Sequence, residues 1–136
     1  MGICALPEVV GQAVCVGLGG FVGSVCRWGT GNALRGLASS FPLGTLAANV
    51  AAGLIIGVVT GYDLTSPMPT KLRLLLATGL CGGLSTFSTF SSETLQLFQA
   101  GKYWLGLANV LINVVTCLVG VWVGMRLGGL IAGGEA

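Results

Sequence analysis

The sequence predicts an all-α membrane protein of four transmembrane helices, the third of them broken, assembling as an antiparallel dual-topology dimer. Three observations carry the fold class. Of 136 residues, 54% are hydrophobic and 7% charged, and the mean hydropathy is +0.92, values that a water-soluble domain does not reach. The apolar residues fall into four stretches, each long enough for the roughly 20 residues that cross a bilayer as a helix. The third stretch carries Gly82-Gly83 and then six hydroxyl side chains between Ser85 and Ser92, a polar interruption that lipid contact does not explain. One transmembrane domain over residues 1–136 accounts for the whole length, with no room for a separate soluble domain.

The segment Met1–Val10 has no Lys or Arg and carries Glu8, unlike the basic start of a secretory signal, so the first apolar segment is expected to stay as a span. That span, 9–28, contains Gly11, Gly17, Gly19, Gly20 and Gly23. Gly19 and Gly23 are four residues apart, as are Gly20 and Ser24, which lets another helix backbone approach closely. Arg27 and Trp28 close the span at a headgroup layer. Arg27 can snorkel to that layer or belong to a polar site.

Residues 29–42, with Gly29, Gly31, Gly36, Arg35 and Ser39-Ser40, are expected to connect, and Pro42 suits the first turn of the second span, 43–62. Thr45, Asn49, Gly53 and Gly57 recur every four residues there, forming one stripe that is polar at one end and small beyond. Asn49 within hydrocarbon requires a partner, and either fastens two helices or lines a polar path.

Pro67 and Pro69 mark the turn 63–69, and Lys71 and Arg73 the next membrane entry. The third segment, 72–98, is longer than a straight span needs. A break near Gly82-Gly83, within 82–86, gives two half-helices, Leu72–Cys81 and Phe87–Phe98, whose freed carbonyls are natural cation ligands. In the second half-helix Phe87 and Phe90 stand about 60° apart, which fits either core packing or a pair of ring edges turned to one site.

The fourth span, 104–127, bears Asn109, Asn113 and Cys117 at intervals of four with Thr116 beside them, and Gly120 and Gly124 beyond. The tail Gly128–Ala136 is expected to fray. Four spans place Lys71, Arg73 and Arg126 on one side and Arg27, Arg35 and Lys102 on the other. Short-loop Lys and Arg set orientation, so this balance predicts insertion both ways and pairing of opposed copies. Cys4, Cys15, Cys26, Cys81 and Cys117 form no CxxC and have no His beside them, and read as small apolar residues.

Three blocks together resemble the Fluc/CrcB family of fluoride channels. They are Gly19-Gly20-Phe21-Val22-Gly23 running to Arg27, Gly44-Thr45-Leu46-Ala47-Ala48-Asn49, and Gly82-Gly83-Leu84-Ser85-Thr86-Phe87-Ser88-Thr89-Phe90 through Glu93. The resemblance implies a passive fluoride channel of the plasma membrane, working as an antiparallel homodimer in the lipid bilayer with two pores. It also implies a structural sodium ion at the dimer axis, held by the backbone carbonyls of Gly82 and Ser85 from both subunits. Phe87 and Phe90 resemble the family's Phe box, in which positive ring edges stabilise an anion without trapping it. The resemblance implies a pore that also includes Asn49, Thr45, Ser88 and Thr89, with Arg27 and Glu93 in vestibule or structural roles. On the fourth span Asn109, Asn113 and Thr116, or Cys117, stand where family members usually carry Tyr or Ser, then Ser, then Ser or Thr. Asn amides still donate to an anion.

Other classes fare worse. A small multidrug-type transporter would need a carboxylate deep in its first span, and no acid lies between Val9 and Arg27. A subunit that works only beside a sister chain is the remaining alternative. The net charge of +2 does not suit nucleic-acid binding, and with no His and no nucleophile–base spacing the chain does not read as an enzyme.

Overall fold

The computed structural model describes residues 6–37 and 41–133. Cys4, the Ser39-Ser40 pair and the last three residues of the tail lie outside them. Among the described residues every regular element is helical. The first span is α1 (Leu6–Leu34) and the second α2 (Leu43–Thr65). The third comprises α3 (Thr70–Arg73), a π-helical stretch Leu74–Cys81, α4 (Gly82–Leu84) and α5 (Phe87–Gln99). The fourth is α6 (Tyr103–Ile131). Each of these four helical segments is long and apolar enough to cross a membrane.

Glycine assembles the bundle. Gly53, Gly57 and Gly61 of α2 lie directly on the α6 backbone at Cys117, Val121 and Met125, and Gly124 and Gly128 of α6 lie on Leu54 and Val58. Residue numbers rise together along both helices, so the second and fourth spans run parallel. The first and third spans pair the same way: Gly19 sits on Leu75 and Leu80, Gly23 on Leu80 and Leu84, and a Cβ on Gly79 would stand 2.7 Å from the Val16 carbonyl oxygen. Such contacts replace the hydrophobic effect, which does not drive helices together in lipid. Between the pairs sits a small core of Ala48, Ala52 and Leu84, with Ile55 against it.

Three expectations change. The connector predicted from Gly29 is helical to Leu34, because Gly31 is a crossing point where a Cβ on Gly44 would meet its Cα at 2.8 Å. The helix predicted to fray from Gly128 continues to Ile131, because Gly128 is buried against α2. The break falls on Ser85 (φ −75°, ψ 154°) and Thr86 (φ −151°, ψ 106°), while Gly82 stays helical at φ −64°, ψ −36°. Gly83 serves packing instead, since a Cβ there would run into the Gly20 carbonyl and lie 3.0 Å from the Ser24 nitrogen.

Hydroxyl and amide side chains make the break tolerable. The Ser85 amide and hydroxyl both donate to the Cys81 carbonyl, at 2.9 and 2.8 Å. The Thr86 N–H leaves the helix and donates to Asn49 Oδ1 of α2 at 2.7 Å. Thr86 Oγ1 then accepts from the Thr89 N–H at 3.2 Å and caps α5. Backbone groups freed inside a bilayer must find such partners.

Candidate functional site: a polar track at the helix break

Two cavities flank the break and share Thr86 in their walls. One, of about 490 Å³, is lined by Asn49, Ala77, Cys81, Gly82, Ser85, Thr86, Phe87, Phe90, Asn113 and Cys117 among others. Its walls are mostly apolar, so each amide in it acts against a low dielectric. The other, of about 680 Å³, is a charged vestibule with Arg27, Arg35, Thr45, Thr89 and Glu93 on its walls. Thr86 itself is buried, at 6% exposure, and lines both.

Phe87 and Phe90 face one another with ring centroids 5.7 Å apart and planes tilted by 47°. Phe90 is half-buried, whereas Phe87 is 80% exposed. The wall carrying Phe87 and Gly82 is therefore open in a single chain.

The partner that Asn49 requires is Asn113: Asn49 Nδ2 donates to Asn113 Oδ1 at 3.3 Å. Asn113 Nδ2 donates in turn to Asn109 Oδ1 at 2.9 Å and to the Asn109 carbonyl at 3.0 Å. Asn109 is fully buried at 0% exposure and donates to Thr94 Oγ1 at 2.8 Å. It stands behind Asn113 rather than on a cavity wall. Thr116 donates back to the Ile112 carbonyl at 2.6 Å, and Cys117 takes the wall position instead. A helix hydroxyl satisfied by its own preceding turn has little left to offer a ligand.

On the vestibule side, Thr45 is buried beside the half-buried Glu93, whose Oε2 has no hydrogen-bond partner among the described residues. Ser88 and Thr89 are exposed and gather about Thr86 Oγ1, at 3.3 and 2.9 Å. Sequence reasoning missed Thr94 and Arg35 as members of this region. Arg35 had only its loop position as a signal, and Thr94 had none, because its partner lies on another helix. Thr86 carried the cap signal, a hydroxyl residue directly before a helical run. Cys15, Cys26, Cys81 and Cys117 are free thiols, as expected.

A multi-pass membrane protein with an interrupted helix, charged vestibule and buried amide track has the build of an ion-conducting protein. The family described as CrcB-like protein, Camphor Resistance (CrcB), matches residues 14–125. Fluoride-specific ion channel FluC of Paraburkholderia xenovorans is 48% identical over 107 residues, covering 78% of this chain and 85% of that relative. The proteins of the same name from Ruminiclostridium cellulolyticum and Methanocaldococcus jannaschii are 42% and 39% identical, covering 89% and 88% of this chain and 95% of each relative. This chain belongs to the CrcB family, as a multi-pass protein of the plasma membrane.

Proposed function

We propose that the chain is a fluoride-selective passive channel that exports cytoplasmic fluoride, working as an antiparallel homodimer with two pores. The chain is not an enzyme, and its relatives are named as fluoride-specific ion channels. The observation that carries the reading is the apolar cavity in which the Asn49 amide meets the Phe87–Phe90 pair, sharing Thr86 with a vestibule that has two arginines. Fluoride entering from the Arg27 and Arg35 side exchanges water for modest contacts: ring edges, the hydroxyls of Ser88 and Thr89 and the Asn49 N–H. Contacts short of a full buried charge let an ion leave as readily as it binds. Undissociated HF crosses lipid and ionises in the more neutral interior, so outward fluoride flow is downhill.

Two features support the dimer. The Lys and Arg balance across the membrane gives no preferred direction of insertion. The face bearing Phe87 and Gly82 is unpartnered in one chain, with nothing within 4 Å of a Cβ placed on Gly82. A structural sodium ion fits that face. Among the described residues, no hydrogen bond reaches the carbonyls of Gly82, Gly83, Leu84 or Ser85, and neutral oxygens are the donor set for a hard monovalent cation. Gly82 and Ser85 would hold the ion, and its charge would offset carbonyl dipoles crowded at the axis.

The test is efflux from proteoliposomes, followed with a fluoride electrode and with chloride in parallel. Rapid fluoride loss with negligible chloride loss is expected, and absence of fluoride loss from verified dimers would overturn the reading. Orientation is tested separately. Gly36→Lys with Leu37→Lys adds two charges after α1, biases insertion and lowers fluoride efflux several-fold. Unchanged efflux and a still-mixed orientation in accessibility labelling would remove the dual-topology assignment.

A further inference from the structure

Thr94 lines neither cavity and is 8% exposed, yet it closes an uninterrupted line of hydrogen bonds that begins at the helix break. The Thr86 N–H donates to Asn49, Asn49 to Asn113, Asn113 to Asn109, Asn109 to Thr94, and the Thr94 hydroxyl to the Phe90 carbonyl at 2.7 Å. Both ends are obligate. A backbone N–H can only donate and a backbone carbonyl can only accept. Each amide between them therefore has one possible orientation: Oδ1 towards the break and Nδ2 towards Thr94. The line leaves the third span, passes through α2 and α6, and returns to the third span one turn after Phe90.

From this geometry we infer that Thr94 and Asn109 are positioning residues, which set Phe90 and the amide of Asn49 for the anion; the inference rests on the channel reading. A count of hydrogens separates holders from donor. Asn113 Nδ2 is engaged by Asn109 alone, through its Oδ1 and its backbone carbonyl. Asn109 is sealed from both cavities. Asn49 spends one amide hydrogen on Asn113 and keeps the second, and it borders the cavity that holds the phenylalanines. Among the relay amides it alone has an N–H to offer a passing ion. Its orientation is fixed at the near end by the Thr86 N–H and braced from the far end by Thr94, whose single hydroxyl hydrogen goes to Phe90.

Thr94→Val keeps the shape and removes both hydrogen bonds, leaving the Asn109 amide buried and unpaired. Thr94→Ser keeps the hydroxyl. In proteoliposomes Thr94→Val is expected to lose about tenfold in fluoride efflux, the scale of one unsatisfied buried donor, and to narrow the fluoride-to-chloride ratio. Thr94→Ser stays within about twofold of the parent on the same grounds. Amide hydrogen exchange over Phe87–Phe98 is read in the same samples, and should quicken in Thr94→Val but not in Thr94→Ser. Parent-like efflux and exchange in Thr94→Val would overturn the inference. So would lost efflux with unchanged exchange, which would make Thr94 an ion contact. If Thr94→Val gives no folded protein, Thr94→Cys, with its weak donor, carries the same comparison. Should the parent protein itself pass no fluoride, the channel reading fails. Exchange then decides the relay alone: quickening in Thr94→Val supports it, and none overturns it.

Discussion

Phe90→Ile is expected to cut fluoride efflux from proteoliposomes by up to about tenfold while the protein still assembles. An aromatic edge contact is worth up to ~1.5 kcal/mol, and ~1.4 kcal/mol in a barrier is about a factor of ten in rate. Isoleucine fills much of the same space with no positive edge to present, so the loss tests electrostatics more than packing. Phe90 is half-buried in the wall of the apolar cavity, and its ring lies 5.7 Å from that of Phe87. Phe87→Ile should act in the same direction. Parent-like efflux in both variants would show that the pair is packing alone. Size-exclusion profiles in detergent, run alongside, distinguish lost conduction from lost assembly.

Gly57→Ala should destabilise the bundle by about 3 kcal/mol, at the upper end of what overpacking a close contact costs. A Cβ at this position would run into the Val121 carbonyl and stand 3.0 Å from Gly124 Cα. The obstacle is backbone on both sides, so no rotamer change relieves it, and α2 and α6 must separate along much of their length. Gly17→Ala is the matched control, since nothing lies within 4 Å of a Cβ there. Thermal unfolding in detergent reads the difference. Equal midpoints for the two variants would mean that the α2–α6 contact is not a chief source of stability.

The glycines show where sequence reading reaches and where it stops. At Gly19 and Gly23 the four-residue spacing announced close helix contact, and the fold uses it so, against Leu75, Leu80 and Leu84. At Gly82-Gly83 the same residue type suggested a break, which instead falls on Ser85-Thr86. Glycine's two uses, backbone freedom and absence of bulk, look alike in a sequence. What separates them is a neighbour, here Gly20 and Ser24 against Gly83. Thr116 and Cys117 present the same difficulty. They stand 100° apart on an ideal helix, both within the polar stripe, and only packing against α2 decides that Cys117 faces the cavity.

By itself the sequence determined the membrane class, the four spans, the interruption of the third and two separate polar stripes, Thr45 with Asn49 on the second span and Asn109 with Asn113 on the fourth. Hydropathy, helical period and hydroxyl clustering are local quantities that need no partner to be read. Only the tertiary structure decided which residue breaks the helix, which asparagine keeps a hydrogen for a ligand, and that Thr94 belongs to the site at all. Those outcomes depend on hydrogen bonds between helices far apart in the chain, Thr86 with Asn49, Asn49 with Asn113 and Asn109 with Thr94. In a bilayer interior each freed donor must take whichever acceptor the packing brings within reach.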